Sequence, residues 1–190
     1  YMLGLYAFFA NKRLVFHEVL PYLYSLMALV LILKSFSYRG DPVRALLFIF
    51  FSQFFIALSI LLNKQFDFSQ VLIYLSGGVL SGVVGFICLT RVGETVTGVD
   101  MNRHHGLSYE RPALSLVFLL SCLGMVAFPI SPAFIGFDVL LTHVDSDQVV
   151  LIMFISMCFI FLELSVLRIY SRVFLGQHRK TDHAMAFRSS

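Results

Sequence analysis

Between Ala45 and Leu62 the chain runs ALLFIFFSQFFIALSILL without one charged residue. A helix of that length rises about 27 Å at 1.5 Å per residue, close to the roughly 30 Å hydrocarbon core of a bilayer. A soluble fold would have to bury such a helix on every side. The chain repeats the pattern and lacks the polar surface to cover it. Charged residues make up 13% and hydrophobic residues 58% of its 190 positions, whereas soluble domains carry about 25% charged residues. The fold class is therefore an all-α polytopic membrane protein. A β-barrel would show short alternating segments instead of long apolar runs.

Charges and helix breakers divide the chain into about six membrane segments. The first is a partial run from Tyr1 to Ala10, read as the inside of a helix already under way in a longer protein. The second covers about Val19 to Leu33, with Pro21 in its first turn, where a missing N–H costs nothing. The third, about Val43 to Leu62, follows the turn-and-start signal RGDP. The fourth covers about Phe68 to Thr90, with Asp67 or Ser69 as its cap. The fifth runs from Pro112 to about Val144 and is interrupted near Pro129 and Pro132. The sixth covers about Val149 to Phe174.

Basic residues orient these spans. One set of loops holds Lys12, Arg13 and Lys64. The other, with the tail, holds Lys34, Arg39, Arg44, Arg91, Arg103, Arg111, Arg172, Arg179, Lys180 and Arg188. The richer set is expected in the cytoplasm, which puts the C-terminal tail there too. The formal charge of +3 is small, and no basic patch with interleaved aromatics suggests nucleic acid. Cys88, Cys122 and Cys158 all lie in apolar runs and read as small core residues. Their spacing matches neither a disulfide framework nor a zinc site. In the fourth span, Gly78 with Gly82 and Ser81 with Gly85 stand four apart, which lets helix backbones approach closely. In the third, Ser52, Gln53 and Ser59 read as hydrogen-bonding groups between helices, with the lining of a water path as the alternative.

The stretch FPISPAFIGFD, Phe128 to Asp138, holds two prolines, a glycine and a carboxylate inside an apolar run. A broken span frees C=O groups at one half-helix end and N–H groups at the next start, and both need partners or water. Asp138 after the break would feel the positive end of the second half-helix, which favours its charge, and burial, which opposes it. A group so balanced can take up and release protons, as in discontinuous helices of ion transporters. The plainer alternative is a capping or interfacial carboxylate. His143 can pass protons between cavity and bulk or simply sit at the interface. Glu163 is the deepest acid of the chain, in either a proton path or a structural ion pair. Arg168 lies five residues on and either meets Glu163 or snorkels to the membrane surface. His104 and His105, with Asp100 and Glu110, match no metal-ligand spacing and read as a polar loop. No metal or cofactor is expected.

GLSYERPALSLVFLLSCLGMVAFPISPAFIGF resembles the broken-helix segment of the antiporter-like proton-translocating subunits. These include the large membrane subunits of respiratory complex I, subunits of multisubunit cation/proton antiporters and the membrane subunit of DAB-type inorganic-carbon uptake complexes. The resemblance rests on Gly106, Leu107, Pro112, the small-residue run to Phe128, Pro129, Pro132, Gly136 and Phe137. LRIYSRVFLG adds Arg168, Tyr170, Phe174 and Gly176. Together these cover residues 106–176; residues 1–105 agree in hydropathy, and 177–190 form the tail. The resemblance implies the second of two inverted five-helix repeats, a protonatable residue on the broken helix and a following helix that ends in the cytoplasm. Where many relatives carry a lysine this chain has Leu140, so Asp138 is the nearest ionisable substitute. The fourth span has neither the His nor the Lys found in many relatives, and RALLF at Arg44–Phe48 echoes that motif one span early.

The chain is thus expected to be a proton-conducting subunit of a multisubunit ion-translocating complex. The expected path includes Asp138, His143, Glu163 and Arg168, at a break marked by Pro129, Pro132 and Gly136. The complex is of the inorganic-carbon uptake branch or of the NADH-quinone oxidoreductase type, and the subunit has no catalytic site of its own. Its partners would be the lipid bilayer, neighbouring subunits, protons, and Na+ or a bicarbonate-linked partner. Its place would be the bacterial inner membrane. The alternative is a non-conducting structural subunit of such a complex.

Overall fold

The computed structural model describes residues 19–62, 68–96, 98–129, 131–135, 138 and 148–176. Five helices order them: α1 (Leu20–Ser37), α2 (Pro42–Leu61), α3 (Phe68–Thr95), α4 (Pro112–Met125) and α5 (Val149–Val173). All but α4 are long and apolar enough to cross a membrane, and α4 is a shorter apolar helix. No strand occurs among the described residues. The structure therefore bears out the helical membrane fold. The first expected span, Tyr1 to Ala10, lies outside the described residues.

Local signals explain the helix starts. Asp41 caps α2, its carboxylate accepting from the Val43 amide at 2.9 Å, and Pro42 stands where no donor is needed. Pro21 and Pro112 lie in the first turns of α1 and α4 in the same way. The helices pack in the order α5, α1, α2, α3, α4, and α4 returns to α5. α2 also touches α5 across the middle. Ala28, Ile32, Ile49, Ile56, Phe118, Leu162 and Val166 fill this interior, while Leu80, Leu116, Leu120, Met153 and Ile160 point outward. Such an apolar exterior suits lipid, not water.

Lipid tails are as apolar as leucine, so close packing and interhelical hydrogen bonds hold spans together. The Ser59 hydroxyl donates to the Pro21 carbonyl at 2.6 Å, and that of Ser35 to the Ala45 carbonyl at 2.8 Å, joining α1 and α2 at both ends. Ser52 departs from its expected role: its hydroxyl bonds back to the Ile49 carbonyl of its own helix at 2.6 Å. The small-residue face of α3 behaves as expected. Gly78 lies against Gln53 and Gly82 against Phe50, both on α2, while Gly85 and Ser81 meet Ser121 and Gly124 on α4. Cys88, Cys122 and Cys158 are buried free thiols.

Residues 98–111 form a strap across one end of the bundle. Its Met101 amide reaches the Arg39 and Gly40 carbonyls, each at 3.2 Å. Its His105, Leu107 and Ser108 amides reach the carbonyls of Arg172, Val173 and Phe174 at 3.0, 3.4 and 3.0 Å. These donors satisfy the carbonyls left open at the end of α5. The two motifs GLSYERP and LRIYSRVFLG are thus one structural unit, continued by Tyr170, Phe118 and Phe174 with ring centroids 5.2–6.5 Å apart.

The close approach at α3 is testable. A Cβ on Gly77 would lie 2.5 Å from the Ala133 amide nitrogen, whereas one on Gly93 meets nothing within 4 Å. Gly77→Ala should destabilise the detergent-solubilised protein by about 1–3 kcal/mol through overpacking. Gly93→Ala should be neutral or stabilise by up to about 1 kcal/mol. Thermal unfolding of the two variants side by side checks this, and equal melting temperatures would contradict it.

Candidate functional site

The helix of the fifth span stops earlier than its prolines suggest. The last residue of α4 is Met125, and Ala127 takes a positive φ of 54°. The Val126 amide reaches the Cys122 carbonyl at 3.2 Å, and that of Phe128 reaches Leu123 at 3.1 Å. This is the six-to-one bond of a Schellman ending, with alanine where glycine is usual. The left-handed backbone costs a non-glycine residue about 1–2 kcal/mol. Pro129 has no N–H to offer Met125 and disfavours helical geometry at Phe128, so the helix must close before it.

The second half-helix begins at Pro132. Ser131 caps it, the Phe134 amide lying 3.0 Å from the Ser131 carbonyl and 3.3 Å from its hydroxyl. Proline at the first helical position and serine before it form a strong start. The restart lies at Ser131–Pro132; Gly136, expected to mark the break, is outside the described residues. Asp138 is helical but lies beyond the first turn, where the positive helix end has faded.

A buried polar pair secures the break. Gln53 on α2 donates through Nε2 to the Met125 carbonyl at 3.1 Å, and its Oε1 accepts from the Tyr74 hydroxyl of α3. Both side chains are buried. A carbonyl opened at the end of α4 thus receives a donor from a neighbouring span. Gly77 clears the way for the restart, with Ala133 against it.

Beside the break lies a cavity of about 220 Å³. Cys122, Val126, Ala127, Phe128 and Pro129 line it on one side, and Glu163, Val166 and Leu167 on the other. Glu163 lies about 15 Å along α5 from its Val173 end, and Met125 about 20 Å along α4 from Pro112. The carboxylate and the helix break therefore share a depth near the middle of the bilayer. A carboxylate there costs about 3 kcal/mol on insertion scales.

Of the expected path residues that are described, Glu163 lines the cavity beside the break and is itself exposed on the isolated chain. It makes no ion pair with a described residue. Asp138 is exposed on the isolated chain. Arg168 turns toward α1, its guanidinium 5.3 Å from the Phe36 ring centroid, and does not pair with Glu163. His143 lies outside the described residues. The di-histidine belongs to the strap: His104 Nδ1 lies 3.0 Å from the Ser171 carbonyl, and His105 Nε2 2.9 Å from that of Asp100. No group of three or more metal-ligating side chains occurs among the described residues.

Sequence reasoning reached Gln53 only as a residue joining helices, and missed Tyr74 and Ala127. A lone amide in FIFFSQFFIAL, in a chain with a broken helix elsewhere, was the available signal: the break needs a donor. Nothing in the sequence marks Ala127 as left-handed.

The pair should behave as a unit. Gln53→Leu leaves the Met125 carbonyl and the Tyr74 hydroxyl unpartnered at about 1–3 kcal/mol each. Tyr74→Phe removes one donor. A double-mutant cycle on unfolding in mixed micelles should give a coupling of about 0.5–3 kcal/mol. Strict additivity would contradict the pairing.

A search of curated proteins returns no match for this chain. A family model described as NADH:quinone oxidoreductase/Mrp antiporter, transmembrane, matches residues 44–163. That span starts within α2 and ends at Glu163. It includes α3, which hydropathy alone had put in the membrane, and it encloses the Gln53–Met125 bond and the whole break. With more than half of its residues matched around this interrupted helix, the chain belongs to the antiporter-like membrane subunit family of NADH:quinone oxidoreductases and Mrp antiporters.

Proposed function

We propose that this subunit conducts protons through the interrupted span within a multisubunit ion-translocating complex. The observation that carries the reading is the cavity shared by the broken backbone and Glu163. Water in such a cavity would reach carbonyls at the end of α4 and the Glu163 carboxylate. Glu163 would accept a proton from that water on one side and return it on the other. Asp138 would serve the second half-helix, and His143 would link the path to bulk water on the opposite face. Arg168 would lie at the far mouth of the path.

The Arg-rich end that carries the strap would face the cytoplasm of a bacterial cell, following the distribution of Lys and Arg. The subunit would take its driving force from partner subunits. Those partners would belong to a quinone-reducing complex or to an inorganic-carbon uptake complex, with Na+ or a bicarbonate-linked reaction as the coupled process. A non-conducting structural subunit is the second reading. It is favoured by α3, which contains neither Lys nor His.

Proton flux in vesicles reconstituted with the full complex separates the two. Glu163→Gln should cut flux at least about tenfold, the scale of a lost proton-transfer group. Glu163→Asp should retain part of it, and Asp138→Asn should slow it less. Wild-type flux in both Glu163→Gln and Asp138→Asn would leave only the structural reading.

A further inference from the structure

Three arginines, Arg39, Arg168 and Arg172, lie at the end of the bundle where α1 and α5 reach the strap. Arg168 stands on the Phe36 ring. Arg172 donates through Nη1 to the Asn102 carbonyl at 3.5 Å, and the adjoining Met101 amide binds the Arg39 carbonyl at 3.2 Å. The strap therefore holds Arg39 and Arg172 together.

None of the three has a carboxylate within ion-pair distance among the described residues. Two other cations at this end do: Arg44 lies 4.0 Å from Asp41 and Arg91 3.9 Å from Glu94. Cations at helix ends complement the macrodipole, but that role does not require three at one place, where they oppose each other. Arg168 lies about 8 Å inside the end of α5, the depth of the boundary between headgroups and acyl chains. One turn deeper, α1 and α5 expose Leu33 and Leu164, with Phe36 beside them. A cationic ring above an apolar helix face matches the two ends of a phospholipid, and basic pockets between spans bind anionic headgroups.

We propose that Arg39, Arg168 and Arg172 bind the phosphate of an anionic phospholipid whose acyl chain lies against Leu33, Phe36 and Leu164. The proposal does not depend on proton conduction. Free inorganic phosphate shares the headgroup chemistry but not the apolar contact.

Native mass spectrometry of the detergent-extracted complex, titrated with phosphatidylglycerol or phosphatidylcholine, tests it. The wild type should retain phosphatidylglycerol in preference. Arg39→Gln, on the exposed turn, should lower retention about fivefold, the worth of one basic residue near an anionic surface. Arg168→Gln with Arg172→Gln should lower it further, and Arg168→Lys should restore most of the loss from Arg168→Gln. Arg44→Gln and Arg91→Gln, whose charges are already paired, should change little. Equal loss in those two controls would reduce the site to general surface charge and overturn it. Unchanged retention in Arg39→Gln and the double variant, or full displacement of the lipid by millimolar inorganic phosphate, would overturn it as well.

Discussion

A carbonyl opened at the end of a helix inside a bilayer must find a donor, and the Met125 carbonyl finds it in Gln53. Much of the bundle is arranged around that bond. α2 needs an amide in the middle of an otherwise apolar span, and α3 needs Tyr74 to occupy the other side of that amide. α3 also needs Gly77 so that the restarting chain at Ala133 can come close. The break is therefore a built feature, fixed from two neighbouring helices.

The spans of α2 and α5 and the zone of the interruption were legible because they follow from one-dimensional signals. Uninterrupted apolar length gives a span, and Asp41-Pro42 gives a start. The close face of α3 was legible for the same reason, as small residues four apart. The register of the break was not. Two prolines and a glycine mark a zone, but where the helix closes depends on which residue accepts a left-handed backbone and which carbonyl a distant side chain can reach. Ala127 and Gln53 decide that, and they are brought together only by packing. The path residues divide in the same way. Glu163 was noted for its depth alone, and its nearness to the break is a tertiary fact.

The strap gives the other end of the bundle a different logic. Its amides close the carbonyls of α5, and Tyr170, Phe118 and Phe174 stack beneath. The two stretches that resemble the family most are thereby joined into one structural unit at the Arg-rich end, away from the deep carboxylate. Rigid closure at the membrane surface and an interrupted, hydrogen-bonded backbone in the interior are complementary. One fixes the ends of the helices, and the other leaves room for water and a charge between them.

The central claim is that Glu163 exchanges protons in the cavity beside the break. Labelling by a membrane-permeant carbodiimide, which attacks protonated carboxyl groups, tests it most directly when peptide mass spectrometry locates the label across a pH series. The account predicts modification at Glu163 that falls as the pH rises. Modification absent at every pH, or independent of pH, would contradict it.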